Sequence, residues 1–121
     1  MVFYKRHLCR LPRWPDELVY DVDHTNTLVY TTMSGPNDMI CTGGIRYWDK
    51  TYDLRKIRVP TLVTGGRYDE SSPKVVMSIH HGISKSELVI FEKSSHLPMW
   101  EERAHYIEVL SRFLSRVIGY N

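Results

Sequence analysis

Long apolar runs, a charge excess and a cysteine framework are all missing from this 121-residue chain. No stretch approaches the roughly 18 to 20 apolar residues that a bilayer-spanning helix needs. The opening "MVFYKRHLCRLPRW" breaks its apolar residues with charge too often for a signal peptide, so the expected compartment is the cytoplasm. Sixteen basic residues stand against fourteen acidic ones, for a net charge of +2, and the Lys and Arg are scattered along the chain. Such a distribution argues against nucleic acid as partner, and without a long apolar run no membrane is expected as partner either. Two cysteines, Cys9 and Cys41, fit no CxxC spacing. They could pair in an oxidising compartment, but idle thiols are the expectation. The neighbouring His80 and His81 fall in a helical pattern, where adjacent side chains diverge, and are read as helix residues rather than metal ligands. Neither a metal nor another cofactor is expected.

What is present is the composition of one ordinary globular domain, 42% apolar and 25% charged. Residues 1–58 are rich in aromatics and irregular. "LPRWPDELV" suits a helix start, with Pro15 ahead of Asp16 and Glu17, acids that complement the helix dipole. "MSGPND" at 33–38 and "CTGG" at 41–44 read as breakers. From residue 59 the pattern changes. "VPTLVTGG" predicts a strand buried on both faces, and "SPKVVMSIHHGI" a helix capped by Ser72, with Val75, Val76, Ile79 and Ile83 as its apolar stripe. "SELVIFE" predicts a second strand. The stretch from Glu101 to Ile118 predicts a last helix, with Ile107, Leu110, Phe113, Leu114 and Val117 on one face.

Strand, helix, strand, helix implies an α/β arrangement of parallel strands with crossover helices. Functional groups in such sheets gather in the loops past the strands' carboxyl ends. Two loops answer to that description, "GGRYDESS" with Asp69 and Glu70, and "KSSHLPMW" with His96. Singly, the bland readings prevail: an Asp after a strand is often a helix cap, a loop His is usually just solvated, and Glu70 is a surface charge. Delivered by successive strands about 4.8 Å apart, Asp69 and His96 can meet, as an acid that orients an imidazole does in a nucleophile, acid and histidine relay. The order also fits, with the acid 27 positions ahead of the histidine and a final helix following it. The nucleophile does not: the chain contains no G-x-S-x-G and no HGG-type oxyanion loop, and Ser34, Ser71, Ser94 and Ser95 have no strand-to-helix elbow around them.

The ordered motifs "GPND", "PTLVTGGRYDE" and "SSHLPMWE" resemble the C-terminal part of proline iminopeptidases and their tricorn-interacting aminopeptidase relatives, serine hydrolases of the α/β-hydrolase fold. The resemblance runs from about Phe3 to Phe113. It implies a partial helical cap over residues 1–58 and the last two βα units of the hydrolase core over 59–121. It also implies Asp69 and His96 as triad acid and histidine, with Glu70 and Asp38 binding the substrate's free amino terminus. Asp38 stands where the family's "GPNE" carries Glu, so charge is kept and one methylene of reach is lost. Tyr30, in "LVYTTM", resembles a family aromatic near the proline pocket. The implied substrate is a peptide with N-terminal proline or a small apolar residue. Because a two-stranded parallel sheet leaves an edge unpaired, a partner is expected, either an N-terminal half carrying the serine or a second copy. The rival expectation is a non-catalytic remnant acting as an interaction module.

Overall fold

The computed structural model describes residues 2–119. The chain forms two compact units, one made of residues 1–13 with 51–121 and the other of residues 14–50. The sequence pattern drew its boundary at residue 58 instead. The difference lies in residues 1–13 and 51–58, which pack with the α/β part: the Leu8 carbonyl accepts the His96 N–H at 3.2 Å, Glu101 accepts the Arg10 N–H at 2.8 Å, and Leu54 and Ile57 pack against the α/β core.

The larger unit opens with a single helical turn, α1 (Tyr4–His7). In the smaller unit, α2 (Asp16–Asp23) starts directly after Pro15, with both expected acids in its first turn. The next helix, α3 (Thr27–Met33), is capped by the Asn26 side chain, which accepts the Val29 N–H at 3.1 Å. The breaker after it folds back on that helix. Gly35 takes φ 133°, which L side chains rarely adopt, and the N–H groups of Thr42, Gly43, Gly44 and Ile45 satisfy the carbonyls of Ser34, Thr32 and Met33 at the helix end.

A 3-10 turn (Thr51–Lys56) leads back to the larger unit and to β1 (Thr61–Gly66), which begins just past Pro60, a residue with no N–H to give a ladder. Helix α4 (Pro73–Gly82) crosses to β2 (Ser86–Phe91), and the strands pair in parallel from Thr61 with Ser86 to Gly66 with Phe91. A single helical turn, α5 (Pro98–Glu101), and a long helix, α6 (Arg103–Ile118), follow β2. Among the described residues no helix is long and apolar enough to cross a membrane.

Burial is one-sided. Val63, Val76 and Ile83 form the buried cluster between β1 and α4, backed by Leu54, Ile57, Leu88 and Ile90. Only that face of β1 is fully covered, which corrects the expectation of two buried faces: Leu62 and Thr64 are half-buried and line an open cleft of about 250 Å³ with Tyr106, Val109, Leu110, Phe113 and Leu114. The inward stripe of α6 is thus Tyr106, Val109, Leu110 and Phe113, whereas Ile107, Leu114 and Val117 are exposed. Val75 and Ile79 of α4 are likewise exposed. Helical periodicity identifies an apolar arc, but the neighbour decides which edge of the arc is covered. Ser72 precedes α4 without its side chain capping it.

Candidate active site

Both candidate loops leave the same end of the two-stranded sheet. Gly66 closes β1 and pairs with Phe91, which closes β2, so the segments that follow start side by side. The Arg67 N–H then donates to the Phe91 carbonyl at 2.9 Å and the Tyr68 N–H to the Ser94 carbonyl at 3.0 Å, lacing the loops together. Gly66 is required there for space. A Cβ on it would lie 1.9 Å from the Ser95 carbonyl oxygen and 2.6 Å from that of Ser94.

This lacing brings Asp69 to His96. Asp69 Oδ1 accepts from His96 Nδ1 at 3.0 Å and from the Ser71 N–H at 2.8 Å. The Asp69 side chain is 7% exposed and that of His96 44% exposed. An acceptor-only carboxylate opposite Nδ1 requires the proton on Nδ1, which leaves Nε2 as the ring's free basic nitrogen. A buried acid holding a half-open imidazole in one tautomer is chemically an orienting acid with a general base. Glu70 follows in the same turn and is exposed.

Tyr30 and Asp38 belong to the 14–50 unit. There the Tyr30 hydroxyl donates to Asp38 Oδ1, a contact that the spacing of the two residues did not announce. It pins one carboxylate oxygen and gives Tyr30 a polar task beside its aromatic one.

Sequence reasoning also missed Glu101 and Glu102, which it took as the start of one continuous helix. The helix breaks instead at Glu102, with φ −129° and ψ 48°, and both carboxylates turn back to the histidine loop. Glu102 accepts from the Lys93 N–H at 2.9 Å and the Ser94 hydroxyl at 2.7 Å. Burial pushes its carboxyl up, but the hydrogen bonds from Ser94 and Lys93 and the nearby His105 outweigh that and hold it below the usual carboxylate value. Glu101 accepts from the Ser95 N–H at 2.8 Å and the Ser95 hydroxyl at 2.8 Å. Ser94 and Ser95 are completely buried with hydroxyls committed to these acids, so neither is placed to be a nucleophile. The signal that could have revealed the pair is the run "SSH" followed within six residues by "EE", two short donors and two long acceptors flanking a loop.

The basic residues of the N-terminal stretch 5–10 face the Tyr68 end of the β1 loop. Lys5, Arg6, His7 and Arg10 line an open cleft with Tyr68, where Arg10 stacks 3.6 Å over the Tyr68 ring and His7 Nδ1 donates to the Tyr68 carbonyl at 2.8 Å.

No protein-family model matches the chain. Individual proteins do. It is 43% identical over 120 residues to a proline iminopeptidase of Saccharolobus solfataricus, covering 98% of this chain and 39% of that protein. It is 42% identical over 117 residues to one of Thermoplasma volcanium, covering 96% and 40%. Among solved structures, it superposes on VinJ with a TM-score of 0.89 at 35% identity, over 95% of this chain and 40% of that one. The proline iminopeptidase of Mycobacterium smegmatis gives 0.88 at 29% identity, over 95% and 39%. The chain spans about two fifths of the length of the curated relatives it matches. With its parallel strands, crossover helix and loop order, the chain belongs to the proline iminopeptidase family and carries the C-terminal portion of that α/β-hydrolase fold.

Proposed function

We propose that these residues supply the acid–base half of a serine aminopeptidase that releases N-terminal proline or a small apolar residue from peptides. The observation that carries the reading is the 3.0 Å contact between the buried Asp69 carboxylate and Nδ1 of the half-exposed His96. In the complete enzyme a serine hydroxyl supplied by residues outside these 121 attacks the carbonyl carbon of the first residue. His96 Nε2 takes the hydroxyl proton as the bond forms and passes it to the departing amine as the peptide bond breaks. Water, deprotonated by the same nitrogen, then cleaves the acyl ester and restores the serine. Asp69 holds the tautomer and stabilises the imidazolium during each transfer.

An aminopeptidase must also measure one residue from a charged amino terminus. Glu70, next to Asp69, suits that task, because a carboxylate favours a cationic terminus over an internal peptide bond. The family resemblance gives Asp38, with its Tyr30 hydrogen bond, the same task.

The open cleft under α6 and the half-buried face of β1 support a further part of the same fold as partner, with the serine on it. Self-association of a non-catalytic chain is the rival. The test is to assay the purified chain on a proline arylamide alone, and again after mixing with a separately produced N-terminal portion bearing a G-x-S-x-G turn. No turnover alone, turnover on mixing, and its loss in His96→Ala are expected. Turnover by the chain alone that disappears in His96→Ala would overturn the missing-nucleophile reading. A chain that only dimerises and ignores the N-terminal portion would favour the rival.

A further inference from the structure

The histidine loop has no regular secondary structure between Phe91 and Pro98, yet its backbone is held at successive positions. The N–H groups of Ser95 and Leu97, on either side of His96, both donate to Glu101 Oε2, at 2.8 and 3.3 Å. The His96 N–H itself donates to the Leu8 carbonyl at 3.2 Å. Glu101 reaches that segment too, since its Oε1 accepts the Arg10 N–H at 2.8 Å. The Ser95 hydroxyl completes the set, at 2.8 Å from Oε1 and 3.0 Å from Oε2. One carboxylate therefore ties together the two pieces of chain that grip the His96 backbone. Four donors converge on it, matching the roughly four lone-pair sites a carboxylate offers.

We infer that Glu101 is a positioning residue for His96: its carboxylate fixes the backbone on both sides of the histidine, so that Nδ1 meets Asp69 and Nε2 is left free. This rests on the reading of Asp69 and His96 as a working pair. Three backbone N–H groups and a hydroxyl need acceptors, and Gln cannot replace Glu there. Its nitrogen has no lone pair to offer and would present N–H to N–H. Removal of the carboxylate frees the loop at Ser95 and Leu97 together, and the imidazole, nearly half exposed, has little packing to hold it in place.

The experiment is nitrogen-15 NMR of the His96 ring in the 121-residue chain, near pH 8.5, about two units above an ordinary histidine pKa, so that the neutral tautomers are read. His80 and His81, on α4, serve as internal references for an intact fold. The unmodified chain is expected to show mainly the Nδ1–H tautomer at His96, and Asp69→Ala to abolish that preference. Glu101→Gln is expected to lower the ratio of Nδ1–H to Nε2–H by about tenfold, the factor that goes with loss of one hydrogen bond to a charged group, with His80 and His81 unmoved. If the unmodified chain shows no Nδ1–H preference, the Asp69–His96 reading fails and the inference with it. If the preference is present and survives Glu101→Gln in a folded chain, the inference alone is overturned. Should Glu101→Gln unfold the chain, Glu101→Asp keeps the charge but draws it back one methylene. Loss of the preference in that folded variant supports the inference, and retention overturns it. Unfolding of both variants would also overturn it, because the carboxylate would then hold the fold rather than act on His96.

Discussion

Replacement of Gly66 by Ala tests how tightly the end of β1 is coupled to the histidine loop. The added Cβ would sit 1.9 Å from the Ser95 carbonyl oxygen, against an ordinary carbon–oxygen contact of about 3.3 Å, so something must move by roughly 1.4 Å. The obstructing atoms are backbone and cannot rotate away. On one side, Gly66 is paired with Phe91 in the ladder. On the other, Ser94 and Ser95 are buried, with their hydroxyls donating to Glu102 and Glu101. If the loop yields, His96 is carried from Asp69, and a displacement well under 1.4 Å takes their 3.0 Å contact beyond hydrogen-bond range. Overpacking of this kind costs about 1–3 kcal/mol. A domain of this size loses about 4 °C of Tm per kcal/mol. Thermal unfolding of the chain is therefore expected to shift down by at least about 4 °C, and the Nδ1–H signature of His96 to fade. An unchanged Tm together with an unchanged His96 tautomer would show that the loop accommodates a methyl group and that the close approach has no hold on the site.

Three further outcomes follow from the same geometry. Burial raises the Cys9 thiol, outweighing a backbone hydrogen bond that lowers it, with a smaller push from Glu101, whereas Cys41 is exposed. A thiol reagent should therefore label one cysteine of the native chain at neutral pH and both after denaturation, counted by mass spectrometry. Because Glu102 is depressed below its unfolded value, its contribution to stability is complete above the ordinary carboxylate pKa near 4.5 and is lost as pH falls through the lower folded value. Melts between pH 7 and pH 3 should show that loss, and it should shrink in Glu102→Gln and in Ser94→Ala. In the enzyme reconstituted with its nucleophile, Asp69→Asn should cut kcat by about 10⁴ with little change in KM, while Glu70→Gln should act mainly through KM.

Much of the larger unit was legible before its structure. β-Branched runs ended by Gly or charge mark β1 and β2, and Pro73 marks the start of α4. The parallel pairing follows, since a helix between two strands leaves them pointing the same way. Legibility stopped where a neighbour had to be known. Tyr106 and Val109 face inward on α6 because the sheet lies on that side, and a periodic pattern with apolar residues at 106, 107, 109, 110, 113, 114 and 117 does not choose between its edges. The helix expected from Glu101 breaks at Glu102 because two acids there find better partners in the loop than in a helical turn.

Local patterns and literal strings reveal β1, α4 and β2, the loops that carry Asp69, Glu70 and His96, and the lack of a G-x-S-x-G nucleophile within these residues. The packing of residues 1–13 with the α/β unit, the bond from Tyr30 to Asp38 and the Glu101 brace on both sides of His96 emerge from the folded chain. The contact between Arg10 and Glu101 joins residues 91 positions apart. Hydrogen bonds act over about 3 Å of space whatever the length of chain between their ends, and no periodicity along that chain encodes such a meeting.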